Sequence, residues 1–190
     1  MGIITRKRAI TVIAVAMSFF HLYTAGFRLY PAIQQRTTHL VFVLMLVFLF
    51  FPLKKGSEDR PTKLSNVIDV FLIALSLVIG AYVMQEYEDL SGRAGAPNLA
   101  DSLISLSAMV LVTEATRRVM GWSMCILIFI GLAYAIFGVY LPPVLAHSGY
   151  TFHRIVNHMF LSTDGILGTP IAVSGTVIIV FLIFGAFLEQ

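Results

Sequence analysis

The stretch "AITVIAVAMSFFHLYTAGFRLY", residues 9–30, follows Arg6-Lys7-Arg8 and decides what kind of protein the chain forms. A charged start and an apolar run read as a secretory signal when the run is short and ends at a small-residue cleavage site. Here the run continues to Tyr30, and the Ala25-Gly26 pair comes late and close to Arg28. It reads as a retained helix, because a bilayer core about 30 Å thick takes roughly 20 apolar residues per crossing.

The rest of the chain agrees with that solvent. Of 190 residues, 58% are hydrophobic and only 12% charged, with a mean hydropathy of +0.87, more apolar surface than a water-soluble core of this size can hide. Apolar runs broken by charge or proline give six candidate crossings, at 9–30, 37–51, 67–84, 99–115, 122–141 and 170–188. The fold class is an all-α integral membrane protein, with about six transmembrane helices plus one interfacial amphipathic helix. The fourth crossing is the weakest, since Ser102, Ser105, Ser107 and Thr113 interrupt it; it must face other helices or lie partly in the interface. The amphipathic helix lies at 150–161, where Phe152, Ile155, Val156, Met159 and Phe160 share one face and His153, Arg154, Asn157 and His158 offer polar contacts.

Basic residues set the expected orientation. Nine Lys and Arg fall on the side of the N-terminus (Arg6, Lys7, Arg8, Lys54, Lys55, Arg60, Lys63, Arg117, Arg118) and four on the other (Arg28, Arg36, Arg93, Arg154). The positive-inside rule then places the N-terminus in the cytoplasm. The net charge of +3 is dispersed between apolar runs, so nucleic acid is not an expected partner. The single cysteine, Cys125, lies within an apolar run and offers neither a disulfide framework nor a cysteine metal site.

Several polar residues stand out against this background. His21 sits near the middle of the first crossing, with Thr24 three residues on and Gly26 nearby; an intramembrane ionisable residue marks a functional hypothesis, either a polar relay or a hydrogen-bonded helix-packing face. Gly26 is expected to let another helix approach closely, and Pro31 to end the first helix. Glu114, Arg117 and Arg118, at i, i+3 and i+4, form an expected ordered cluster at the inner end of the fourth helix, a candidate clasp for scaffold docking or an interfacial anchor. Asp69 most simply complements a helix N-terminus. His147, His153 and His158 are spaced six and five apart, which does not place them on one helix face as metal ligands, and no catalytic carboxylate pair, nucleophile elbow or phosphate loop occurs. No metal, cofactor or enzymatic activity is expected.

Five strings, "HLYTAGF" (21–27), "QRTTHLVF" (35–42), "EYEDLSGRAGAP" (86–97), "EATRRVMGW" (114–122) and "LSTDGILGTPIAVS" (161–174), taken in order, resemble the N-terminal portion of the fused permeases of tripartite ATP-independent periplasmic (TRAP) transporters, the TAXI subclass in particular. The resemblance implies a small four-helix membrane subunit over 1–119, joined to the beginning of a large permease subunit over 120–190. It implies a multi-pass protein of a bacterial or archaeal cytoplasmic membrane that works by symport with an ion gradient. Its expected partners are a periplasmic solute-binding protein, the remainder of the large subunit and the lipid bilayer. The solute class implied is organic anions, and the substrate and coupling-ion site is expected outside this chain, which would then be a fragment or a split product. Two other classes stay open on the residues alone: a stand-alone membrane scaffold or anchor without transport activity, and, ranked last, a membrane enzyme using the outer histidines.

Overall fold

The computed structural model describes residues 3–28, 30–51, 53, 63–93 and 96–189. Every regular element among them is helical: α1 (Ile3–Gly26), α2 (Ala32–Phe50), α3 (Lys63–Gly92), α4 (Leu99–Met120), α5 (Trp122–Phe137), α6 (Phe152–Leu161), α7 (Thr169–Val173) and α8 (Ile179–Leu188). A 3-10 turn, Gly138–Tyr140, extends α5, and a π turn, Ser174–Ile178, joins α7 to α8 into one rod. Among the described residues six helical segments are long and apolar enough to cross a membrane, the rod Thr169–Leu188 among them. This is an all-α, multi-pass membrane architecture, in which each helix satisfies its own backbone groups away from water.

Local chemistry sets the boundaries. α1 stops at Gly26, and Pro31, expected to end it, instead opens α2: its carbonyl accepts from Gln35 N at 3.0 Å. Proline suits this position because its missing N–H would have no helical partner there. α4 extends five residues past the expected boundary and begins with a capping box: Asn98 Oδ1 accepts from Asp101 N at 2.7 Å while Asp101 Oδ2 accepts from Asn98 N at 2.8 Å. It ends at Gly121, whose φ of +86° is open to glycine and strained for other residues, so the chain turns there into α5. Lys54, Lys55 and Arg60, counted for orientation, lie outside the described residues.

The core forms between α2, α3 and α4, where Phe48, Val83 and Leu111 are fully buried, and is covered at one end by Phe160 of α6 and Leu167 of the following turn. α6 packs across α4, burying Ile155, Val156, Asn157 and Phe160. Phe152, expected on that face, is 56% exposed at the first turn of α6, which Thr151 caps by accepting from Arg154 N. By contrast, among the described residues α5 buries only Cys125 and α8 buries none of its own, so their apolar surfaces are available to lipid or to other helices.

Candidate functional site

The deepest polar feature is a chain of side chains linking three helices. His21 Nδ1 lies 2.7 Å from Met17 O, His21 Nε2 lies 3.0 Å from His39 Nδ1, and His39 Nε2 lies 3.1 Å from Ser174 Oγ. Both rings are almost wholly buried and cross edge to face, with centroids 5.0 Å apart. Because a carbonyl can only accept, the proton on His21 Nδ1 fixes the rest for neutral rings: Ser174 donates to His39, His39 Nδ1 donates to His21 Nε2, and His21 donates to Met17 O. The chain is therefore directional and stops at a backbone carbonyl that is also a helical acceptor, an end that holds a ring in place and passes no proton on.

Thr24 continues the same face: its hydroxyl donates to His21 O at 3.1 Å and accepts from Gln35 Nε2 at 3.1 Å. Gln35 Oε1 is buried there without a partner among the described residues, as is Thr37 Oγ1 elsewhere on α2. The close helix approach comes from a different glycine than expected. Gly26 is exposed with nothing within 4 Å of a built Cβ, since it ends α1 beyond the contact with α2; at Gly175, inside the π turn, a Cβ would stand 2.9 Å from His39 Cγ. The π turn and its glycine bring the 169–188 rod against the imidazole, with Ile179 N donating to Ser174 O across five residues.

A second polar node lies at the end of the bundle where α1 begins. Glu114 pairs with both Arg117 (2.8 Å) and Arg118 (2.8 Å), and Arg118, whose side chain is fully buried, also reaches Asp69 Oδ1 at 2.6 Å and Phe51 O at 3.0 Å. Its guanidinium carbon lies 5.0 Å from the Phe48 ring centroid. Arg6 arrives from α1, donating to Leu49 O at 2.5 Å and Phe48 O at 3.4 Å, and lies 3.9 Å from Asp69 Oδ2. Thus two arginines supply donors to the carbonyls at the end of α2 that have no helical partner. Asp69, expected as a helix-terminus complement, is an ion-pair partner shared by α1 and α4. Within this chain Arg118 is committed to internal contacts, while Arg117 stays partly exposed, 5.7 Å from the Trp122 ring.

At the opposite end, fully buried Asp101 accepts from Tyr82 OH at 2.6 Å and from Arg93 at 3.3 Å, and Arg93 also binds Glu86 at 3.2 Å. Arg36 donates to Leu167 O at 2.7 Å, fixing the turn before α7 to α2. His147 is structural: its Nε2 donates to Tyr134 O and its Nδ1 accepts from Gly149 N, both at 3.0 Å, folding the segment after α5 back on it.

His39, Ser174 and Asp101 are the residues that sequence reasoning passed over. His39 carried the same signal as His21, an ionisable residue inside an apolar run, and Asn98-x-x-Asp101 has capping-box spacing; Ser174 carried no signal of its own. Comparison with protein-family models, with curated proteins and with solved structures finds no match to this chain.

Proposed function

We propose that this chain is a membrane component of a TRAP-type permease, its helices forming the fixed scaffold beside a solute pathway driven by an ion gradient. The observation that carries this reading is that each of the five strings resembling that family contributes residues to a polar node, together with Arg6, Asp69, Tyr82 and Asp101 from outside them. "HLYTAGF", "QRTTHLVF" and "LSTDGILGTPIAVS" supply His21, His39 and Ser174; "EATRRVMGW" supplies Glu114, Arg117 and Arg118; "EYEDLSGRAGAP" supplies Glu86 and Arg93. His21, His39 and Ser174 meet across helices, and Arg118 and Arg93 reach Asp69 and Asp101 on other helices, joints of the kind that a scaffold requires. Under this reading the buried histidines hold the 169–188 rod to the α1–α2 hairpin, and the substrate and coupling ion bind elsewhere, in the remainder of a large subunit. The N-terminus and the arginine node face the cytoplasm of a bacterial or archaeal cell, and a periplasmic solute-binding protein delivers the solute, an organic anion.

The experiment is uptake of a panel of labelled organic anions by cells with the gene intact or deleted. The expected result is one anion whose uptake is lost on deletion, is abolished by an ionophore and survives ATP depletion. Uptake unchanged for every anion, with the protein present and folded, would leave the second reading, a membrane scaffold without transport activity. That reading is favoured by the buried Asp69, Asp101 and Arg118 all being held in ion pairs within the chain.

A further inference from the structure

Between α5 and α6 the chain folds back on the helix it has just left. His147 N donates to Gly138 O at 3.2 Å, Tyr150 N to Ala135 O at 3.0 Å, and Tyr134 OH to Leu145 O at 3.2 Å. The His147 ring lies so close over Gly138 that a Cβ there would collide with it, and its centroid is 4.8 Å from that of Tyr134 and 5.7 Å from that of Tyr150. Thr151, the next residue, caps α6.

Both ring nitrogens of His147 bind backbone groups, which fixes the protons without further assumption. Nε2 faces Tyr134 O and carries the proton, because a carbonyl only accepts; Nδ1 faces Gly149 N and is unprotonated, because a backbone N–H only donates. Among the described residues no other histidine ring accepts from a backbone N–H. The distinction matters: a side-chain partner can rotate away from an added proton, whereas a backbone N–H moves only with its chain. The groups facing the ring are the phenols of Tyr134 and Tyr150, with the Arg154 guanidinium carbon 5.4 Å from the Tyr150 centroid, and no carboxylate lies within ion-pair distance among the described residues. Phenols and guanidinium groups keep one protonation state at mildly acidic pH, which leaves imidazole as the group that changes.

We propose that His147, Gly149 and Tyr150 form a proton-operated latch between α5 and α6, closed while His147 is neutral and released when it takes a second proton. A proton on Nδ1 sets N–H against N–H, so Gly149 must withdraw. Nε2 keeps its bond to Tyr134 O, strengthened by charge near the carbonyl end of α5, so the ring stays while the chain beyond it lets go. Gly149 holds a φ of +68°, a conformation that glycine leaves as readily as it enters, and its withdrawal pulls Tyr150 N from Ala135 O. α6 stays seated on α4 through Ile155, Val156 and Phe160, so release lengthens the tether between α5 and α6 without unseating α6. The inference does not depend on the permease reading.

Hydrogen exchange of the full chain in detergent micelles tests it, resolved at single amides by NMR and expressed as protection factors at about pH 7.5 and about pH 5.5. Gly149 and Tyr150 are expected to lose protection about tenfold at the lower pH, the worth of one hydrogen bond, while the core amides of α2 and α4 keep theirs. His147→Asn is the control: an asparagine oxygen accepts from the N–H two residues on and does not titrate, so both amides should stay protected at both pH values. Protection at Gly149 and Tyr150 that is indifferent to pH in the unaltered chain overturns the proposal, as does an equal loss in the core amides, which would report unfolding. An equal acid loss in His147→Asn also overturns it, by assigning the effect to another group such as His153. So does loss at both pH values in that variant, since the Tyr134 bond and not the Nδ1 acceptor would then hold the latch.

Discussion

Arg118 and His39 are buried to nearly the same degree, 4% and 2% exposed, yet their surroundings follow opposite rules. Arg118 lies near the end of α4 against Asp69, Glu114 and the Phe51 carbonyl just past α2, so that a permanent charge is matched by two carboxylates, with Nη2 alone left without a hydrogen-bond partner among the described residues. His39 lies within α2 among neutral groups, with His21 and Ser174 as its only side-chain hydrogen-bond partners among the described residues. Near a helix end, opposite charges and unpaired carbonyls are at hand to compensate a guanidinium. Deeper in a helix the fold uses a group that can stay neutral and donate at one nitrogen while accepting at the other. The arginine node thus fixes the four-helix part of the molecule, and the histidine chain fixes the 169–188 rod to it.

The comparison is broken most severely at the charged node. Arg118→Leu strands Asp69 and Glu114 and is expected to cost about 3–5 kcal/mol, read as a large drop in the denaturant needed to unfold the chain in mixed micelles. At the other end, Asp101→Ala leaves Tyr82 and Arg93 without their shared acceptor and should cost about 1–3 kcal/mol in the same assay. His21→Leu is expected to leave membrane insertion intact and weaken packing by about 0.6–1.7 kcal/mol, the range of hydrogen bonds between helices in membranes; in an uptake-competent assembly it should reduce assembly modestly, whereas lost uptake with normal assembly would point to a proton relay. Gly26→Ala, facing open space, should change unfolding by less than about 0.5 kcal/mol, while Gly175→Ala forces His39 aside and should register clearly.

Much of this was legible in the sequence because lipid imposes a simple pattern. The six crossings follow from run length, and the Glu114, Arg117 and Arg118 spacing foretold their pairing, since residues three and four apart are neighbours on a helix. Partners across helices were harder. Asp69 could be placed on α3, but only the packing of α4 and α1 against it brings Arg118 and Arg6 within reach. His21 and His39 stand at similar distances from the turn that joins α1 to α2, so a hairpin sets them side by side; Ser174 joins them only because a π turn and Gly175 bring the rod in close. Pro31 illustrates an ambiguity of position: between two helices the same residue can close one or open the next, and α1 had already ended at Gly26.

The most direct measurement is a double-mutant cycle on His39→Leu and Ser174→Ala, with unfolding followed in mixed micelles. If the hydrogen bond joins the rod to the hairpin, the two changes should be coupled by about 0.6–1.7 kcal/mol. Additivity within about 0.3 kcal/mol would mean that the histidine chain does not hold the rod, and would contradict the account.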